Sequence, residues 1–126
     1  MKKRIILEYS FRCTPGSLFR AVTTPLGLRG WFADNVVVSG TRYDFFWNKS
    51  MQTARLVHYK RNAYVRYQWE DSGEHYLEMR IAHQELTGDI LLTVVDFAEE
   101  DERDGCKELW DTLIEKLKRA IGCPKK

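Results

Sequence analysis

The C-terminal segment of the chain has an apolar stripe at helical spacing, and this stripe limits the folds that the chain can adopt. The apolar side chains recur at intervals of three and one, at Cys106, Leu109, Trp110, Leu113, Ile114, Leu117, Ala120 and Ile121. Charged residues fill the opposite face, acidic residues precede the stripe at 99–104, and basic residues stand near its end, as the helix dipole favours. The pattern predicts a long amphipathic helix whose apolar face must be buried against another element.

Most of the remaining chain alternates between apolar and polar residues, which is typical of half-buried strands. The first such segment covers 4–12, with Ile5, Leu7, Tyr9 and Phe11 on one face. Six further strands are predicted at 36–38, 42–47, 53–60, 63–69, 75–84 and 89–97. Short polar turns between them favour antiparallel pairing. The fold class is therefore α+β, with an antiparallel sheet of six to seven strands and one long C-terminal helix.

Two short helices are predicted after the first strand. Thr14-Pro15 and Thr24-Pro25 each combine an N-cap residue with a proline in the first helical turn. They predict a helix over 15–22 and a second helix that carries Leu28, Trp31 and Phe32 on one side. Gly27 and Gly30 are expected to weaken the second helix, by about 1 kcal/mol each relative to alanine.

The length of 126 residues favours a single domain over 1–126, since no linker, repeat or low-complexity tract separates the patterned segments. Aromatic residues are abundant for so small a domain, with 6 Phe, 6 Tyr and 4 Trp. These side chains either fill a packed core or surround a space.

The charge is unevenly distributed along the chain. The net charge is +2, but residues 1–66 carry 12 Lys/Arg against 3 Asp/Glu, and residues 67–126 carry 8 against 15. Such asymmetry can accompany a nucleic-acid or membrane surface, whereas the two halves of one domain also neutralise each other when they fold together.

Cellular context is indicated by the cysteines and by the lack of long apolar runs. Cys13, Cys106 and Cys123 are odd in number and have no CxxC spacing. No stretch approaches about 18 apolar residues, and no signal-peptide core follows Met1-Lys2-Lys3-Arg4. We therefore expect reduced thiols, a cytoplasmic location and no membrane span.

The order of strand, two short helices, six strands and one long helix resembles the helix-grip fold of the START-like superfamily, which includes polyketide cyclases and plant pathogenesis-related allergens. Within this superfamily, the branch named after the activator of the heat-shock chaperone ATPase is the most similar to this chain. The first two helices of that branch are similar to the segment that runs from Thr14-Pro15 through 18–22 and 23–28 to Trp31-Phe32. The closing helix of that branch resembles the C-terminal segment of this chain at Leu109-Trp110, Leu113 and Leu117-Lys118. The Gly-Trp pair that opens that helix in the family is replaced here by Gly105-Cys106, with Trp110 one turn later.

The resemblance implies a cavity between the sheet and the long helix that holds a small hydrophobic or amphipathic ligand. The alternation within the strands at 42–47, 53–60, 63–69 and 75–84 gives each an inward face. These faces, the apolar stripe of the long helix and Trp31 carried over from the family give the expected lining: Trp31, Tyr43, Phe45, Trp47, Leu56, His58, Val65, Tyr67, Trp69, Leu77, Met79, Ile81, His83, Trp110, Leu113, Ile114 and Leu117. The same residues would also form an ordinary dense core. The sequence leaves this choice open.

Residues that could perform chemistry are few. His58 and His83 share predicted inward faces near strand ends, where histidine could act as a base or hydrogen-bond donor. The chain has no glycine-rich phosphate loop, GxSxG, HExxH or zinc-ligand spacing. We therefore assign no catalytic residue, no metal and no cofactor, and a non-enzymatic role is favoured.

Two alternatives to a ligand-binding module remain. The first is an interaction protein, either co-chaperone-like or binding nucleic acid through a basic surface of Arg42, Lys49, Arg55, Lys60, Arg61 and Arg66. Outward alternation along the strands explains most of these charges equally well, so nucleic acid is the less favoured partner. The second alternative, implied by the family, is a cyclase- or hydratase-type enzyme.

Overall fold

The computed structural model of the protein describes residues 1–122, so the prediction of a reduced thiol at Cys123 lies outside the described residues. The elements in chain order are β1 (Lys3–Phe11), α1 (Pro15–Thr23), α2 (Pro25–Arg29), β2 (Asn35–Ser39), β3 (Arg42–Trp47), β4 (Ser50–Lys60), β5 (Tyr64–Trp69), β6 (Tyr76–His83), β7 (Ile90–Ala98), a single 3-10 turn (Glu100–Glu102) and α3 (Arg103–Ala120). The predicted α+β class and the long C-terminal helix are confirmed.

The seven strands form one antiparallel sheet in the order β1-β7-β6-β5-β4-β3-β2. The register aligns Leu7 with Val94, Val94 with Met79, and Met79 with Val65. We call the face that carries these residues the inner face. Val65, Met79 and Val94 are buried there, as is Trp110 of α3, because this face packs against the helices.

The second short helix ends earlier than the sequence predicted. Thr14 and Thr24 cap the two helices as expected, and the Thr24 hydroxyl oxygen accepts the Gly27 N–H at 3.0 Å. However, α2 ends at Arg29, and Trp31 and Phe32 lie in the following turn. Placing those two residues on the helix was therefore wrong. The turn directs both aromatic side chains into the core, where each is buried.

Aromatic side chains satisfy the last carbonyl groups of α1. The final carbonyls of a helix have no partner within the helix, and here three of them accept from aromatic donors: Ala21 from Trp31 Nε1 at 2.8 Å, Thr23 from the Tyr43 hydroxyl at 2.8 Å, and Val22 from the Tyr67 hydroxyl at 2.7 Å. Tyr43 belongs to β3 and Tyr67 to β5. These bonds fix the end of α1 to the inner face of the sheet.

Gly27 allows α2 to approach α1 closely. A Cβ atom at this position would lie 2.5 Å from the Arg20 carbonyl oxygen and 2.7 Å from Ala21 Cα. Both are backbone atoms, which cannot move aside without displacing the helix. The glycine that weakens α2 by propensity is therefore required by packing.

The outer face of the sheet contains one buried charged side chain. Glu78 is 6% exposed and accepts hydrogen bonds from Arg66 Nε at 2.7 Å and Arg80 Nε at 2.6 Å. The Arg66 guanidinium lies 3.9 Å from the centre of the Tyr76 ring, and that of Arg80 lies 4.7 Å from the Tyr64 ring. Burial raises the pKa of Glu78, but the bonds from Arg80 and Arg66 outweigh it and hold the pKa below its usual value.

Replacing Gly27 with alanine is expected to destabilise the protein by about 1–3 kcal/mol, because the added methyl group overpacks the α1–α2 contact. Gly105 is the matched control, since a Cβ there meets no atom within 4 Å and the residue also lies in a helix. Gly105→Ala is expected to add up to about 1 kcal/mol of stability. Urea unfolding of both variants measures the difference, and equal effects of the two substitutions would contradict the close approach.

Tyr67→Phe is expected to cost about 1–3 kcal/mol, because it leaves the buried Val22 carbonyl without a donor while preserving the ring. Tyr64→Phe is the control. Within residues 1–122 the Tyr64 hydroxyl donates no hydrogen bond, so its loss should change stability by less than about 0.5 kcal/mol. The free energies of unfolding in urea give the comparison; a Tyr67→Phe variant as stable as Tyr64→Phe would refute the proposed capping of α1.

Glu78→Gln is expected to destabilise the protein by about 1–3 kcal/mol at neutral pH, because two arginines lose their anionic partner. The folded pKa of Glu78 is lowered, so its contribution is complete above the unfolded pKa of about 4.3 and disappears as pH falls through the folded value. The difference in unfolding free energy between wild type and variant should therefore be constant above about pH 5 and shrink in acid.

The control for this pH series is Glu70→Gln, which breaks an exposed ion pair with Arg55 and should cost less than about 0.5 kcal/mol. Stability is measured by urea unfolding from acid to neutral pH. If the difference in unfolding free energy between wild type and Glu78→Gln widened in acid, the pKa of Glu78 would be raised and not lowered by folding.

Candidate ligand-binding site

A cleft of about 1040 Å³ opens at one end of the inner face. It lies between α3, the segment joining α2 to β2, and the turn joining β5 to β6. All 4 tryptophans of the chain line it: Trp31, Trp47, Trp69 and Trp110. We call this space the tryptophan cleft.

Phe32 joins three of the cleft tryptophans into one aromatic cluster. Its ring centre is 5.3 Å from that of Trp31, 5.6 Å from that of Trp47 and 6.2 Å from that of Trp110. Such tilted and offset ring contacts stabilise beyond simple area burial. Trp31 and Trp110 are almost fully buried, whereas Trp47 and Trp69 are half-buried. The first pair therefore supports the wall, and the second pair offers ring surface to the cleft.

Most of the indole N–H groups are occupied within the protein. Three of them donate to acceptors: Trp31 to the Ala21 carbonyl, Trp47 to the Phe32 carbonyl at 2.9 Å, and Trp110 to Asp96 Oδ2 at 2.8 Å. Within residues 1–122 the Trp69 indole has no acceptor, and no side-chain nitrogen or oxygen is both buried and unpartnered. The Trp69 N–H is therefore not fully buried, and it remains available as a hydrogen-bond donor.

Asp96 places a carboxylate in the wall of the cleft. It stands opposite Ile5 in the register of β1 and β7, on the inner face, and is half-buried. Its Oδ1 accepts the Phe97 N–H at 2.8 Å, and its Oδ2 accepts the Trp110 indole and lies 3.9 Å from Cys106 Sγ. Burial and the Asp96 charge raise the pKa of the Cys106 thiol, so that this cysteine stays protonated at neutral pH.

Sequence reasoning did not identify Asp96, because the strand that contains it is apolar on both faces at most positions. Asp96 lies two residues after Val94 and four after Leu92, so it shares their inward face of the strand. This spacing was the signal that could have found it. A charged residue at an inward position of a strand is uncommon unless it is bonded or functional.

The predicted lining residues divide into three groups in the structure. Six of them line the cleft: Trp31, Trp47, Trp69, Leu77, Trp110 and Leu113. Nine pack into the hydrophobic core or directly against it: Tyr43, Phe45, Leu56, Val65, Tyr67, Met79, Ile81, Ile114 and Leu117. Burial raises the pKa of Tyr43 and of Tyr67, in keeping with a closed interior around them.

The third group is the two histidines, and the prediction that both point into the interior was wrong. The pairing of β4 with β5 shifts between Leu56 and His58, which places His58 opposite Arg66 on the outer face. This irregularity reverses the alternation on which the prediction depended. His83 keeps the parity of Ile81 but lies at the end of β6, and both histidines are exposed.

The remaining histidine, His75, lies on the rim of the cleft and was not predicted there. It belongs to the turn between β5 and β6, which Gln68 Nε2 holds by donating to the Ser72 and His75 carbonyls at 2.8 and 2.9 Å. The Ser72 hydroxyl lies 2.9 Å from His75 Nδ1 and also accepts the backbone N–H of Glu74 and His75 at 3.4 and 3.3 Å. The serine thus closes the turn.

Half of the predicted basic surface is neutralised by neighbouring carboxylates. Arg42 pairs with Asp44, Arg55 with Glu70, and Arg66 with Glu78. Phosphate binding requires cations that are free to replace counterions. The ion pairs reduce what this surface offers to a nucleic acid.

No helix in residues 1–122 is long and apolar enough to cross a membrane. Over the same residues, no group of three or more His, Cys, Asp or Glu side chains is placed to hold a metal ion.

The topology and the cleft define a class of protein: a helix-grip domain, in which one long C-terminal helix covers part of an antiparallel sheet. A family model described as START-like superfamily domain matches residues 1–123. The chain belongs to the START-like superfamily. A search of curated proteins found no match.

Several solved structures are similar to this chain. A Bacteroides fragilis protein solved by NMR is 37% identical, with 99% of this chain and 95% of that chain covered and a TM-score of 0.69. The Aha1 dimer from Colwellia psychrerythraea is 18% identical, with 94% and 96% covered and a TM-score of 0.81. DynU16, from the dynemicin biosynthetic locus, is 16% identical, with 94% and 47% covered and a TM-score of 0.78. The last two share the fold with this chain.

Proposed function

We propose that the chain acts as a single START-like domain over 1–126 that binds a small hydrophobic or amphipathic molecule in the tryptophan cleft. The observation that carries this proposal is the convergence of all 4 tryptophans on one cleft of about 1040 Å³. Sites for small molecules are concave and mostly apolar, with a few polar groups that orient the ligand. Trp69 and Asp96 supply such groups here.

The proposed ligand lies at the open end of the inner face and not in the region under α1. Tyr43 and Tyr67 fill the region under α1, with ring centres 4.9 Å apart and both hydroxyls bonded to the helix. A ligand could enter that region only by breaking these bonds. The predicted lining therefore reduces to the six residues on the cleft, joined by Asp96 and Phe32.

We propose binding without chemistry. Among the described residues that line the cleft, the serine and histidine that touch each other are Ser72 and His75, and the serine oxygen already accepts two backbone N–H groups. A nucleophile needs a base positioned beside a substrate pocket and donors for the developing negative charge. This turn is better explained as a structural closure.

Two finer assignments belong to the same proposal. A position near the Aha1 branch is supported by the motif from Thr14-Pro15 to Trp31-Phe32 and by the fold shared with the Colwellia Aha1 structure. A cytoplasmic location is supported by the odd number of cysteines without CxxC spacing, which suits a reducing compartment.

Binding can be measured with a neutral apolar fluorophore, N-phenyl-1-naphthylamine, because the tryptophans that line the cleft also report on it. We expect saturable quenching of tryptophan emission at one site per chain. Trp69→Leu should weaken binding by about five-fold or more, since it removes half-buried ring surface and an indole donor.

Tyr59→Leu is the matched control, because Tyr59 is an exposed aromatic residue of the same sheet outside the cleft. It should leave the dissociation constant unchanged within about two-fold. Urea midpoints of both variants verify folding. Non-saturable quenching, or equal binding by wild type and Trp69→Leu, would reject the cleft as a binding site.

A further inference from the structure

We infer that the ligand of the tryptophan cleft is an organic cation, such as a quaternary or protonated amine attached to an apolar group. This inference rests on the proposed function and names the chemical class that the cleft selects. Two independent features of the wall support it: indole rings that are only half-buried, and a carboxylate that has no ion pair.

The indole rings provide the first feature. Trp47 and Trp69 line the cleft and are half-buried, so part of each ring remains available to a ligand. The face of an aromatic ring carries partial negative charge, and tryptophan binds cations most strongly among the aromatic residues. A desolvated ammonium group that lies against these rings therefore binds with a more favourable free energy than a neutral group of the same shape.

The charge of the wall provides the second feature. Among the charged side chains of the cleft, only Asp96 and Glu99 are partly withdrawn from solvent. Glu99 is already paired with the N-terminal ammonium at 2.8 Å. Asp96 accepts hydrogen bonds only from neutral donors, and within residues 1–122 it has no ion pair. A half-buried carboxylate that no ion pair neutralises favours a ligand that supplies a cation.

The basic residues of the cleft do not cancel this preference. Lys2, Arg29 and Lys116 are exposed, so water and salt screen their charges. Exposed carboxylates at Asp34, Asp71 and Glu74 share the rim with them. The rim is thus close to neutral, while the partly buried wall is negative. An anionic group placed against this wall would face the Asp96 carboxylate.

The test compares three probes of similar size: phenyltrimethylammonium, its neutral isostere tert-butylbenzene, and benzenesulfonate. Each is titrated against tryptophan emission at low salt, with displacement of N-phenyl-1-naphthylamine as a second readout. We expect the cation to bind about ten-fold more tightly than the neutral probe, the anion to bind most weakly, and the preference for the cation to fall as salt is raised.

Asp96→Asn removes the charge and keeps an oxygen acceptor for the Trp110 indole. It should reduce the preference for the cation to about three-fold or less, because it weakens binding of the cation much more than binding of the neutral probe. Glu85→Gln, an exposed site outside the cleft, removes the same charge and should preserve the wild-type preference. Urea unfolding verifies that Asp96→Asn is folded.

The outcomes separate this inference from the proposed function. If wild type binds the neutral probe as tightly as the cation, the inference is overturned and the binding proposal stands. If no probe binds or displaces the fluorophore, the proposed function itself fails. An equal loss of preference in Asp96→Asn and Glu85→Gln would also overturn the inference, because the effect would then be one of net charge.

Discussion

The buried end of α1 is the interaction on which the rest of the interior depends. Its last carbonyls have no partner in the helix and lie against the core, so they require donors from elsewhere. Trp31, Tyr43 and Tyr67 supply them through three hydrogen bonds of 2.7 to 2.8 Å. The same bonds orient three large rings under the helix. Tyrosine and tryptophan each combine a large apolar ring with one hydrogen-bond donor. The need for such donors inside the core therefore explains part of the abundance of aromatic residues in the sequence.

The tryptophan cleft follows from how little helix is available to cover the sheet. Seven strands spaced at about 4.8 Å make a sheet roughly 29 Å wide, and α3, with 18 residues, is about 27 Å long and about 10 Å across. The helices α1 and α2 add 9 and 5 residues. These elements cannot cover the whole inner face. Where coverage ends, the large rings of the aromatic cluster form the wall.

The element order and the inward positions of most strands could be predicted, because they depend on local periodicity. Val65 and Tyr67 alternate with polar neighbours in the sequence and are buried in the structure. His58 could not be placed in this way, since the register shift beside it reverses the alternation, and that shift is set by the pairing of β4 with β5. Gly27 was read as a weak point of its helix, whereas the contact with Arg20 and Ala21 makes the glycine necessary.

The sequence by itself determined the α+β class, the order of the elements and the aromatic character of the inner face, because each of these follows from spacing along the chain. Only the tertiary structure decided which aromatic residues fill the core and which form an open wall. That division depends on how far α1, α2 and α3 extend over the sheet, which is a property of packing between distant segments. The same holds for Asp96, whose place beside Trp110 and Cys106 joins residues from β7 and α3. Local patterns cannot express such contacts, because the residues meet only once the chain has folded.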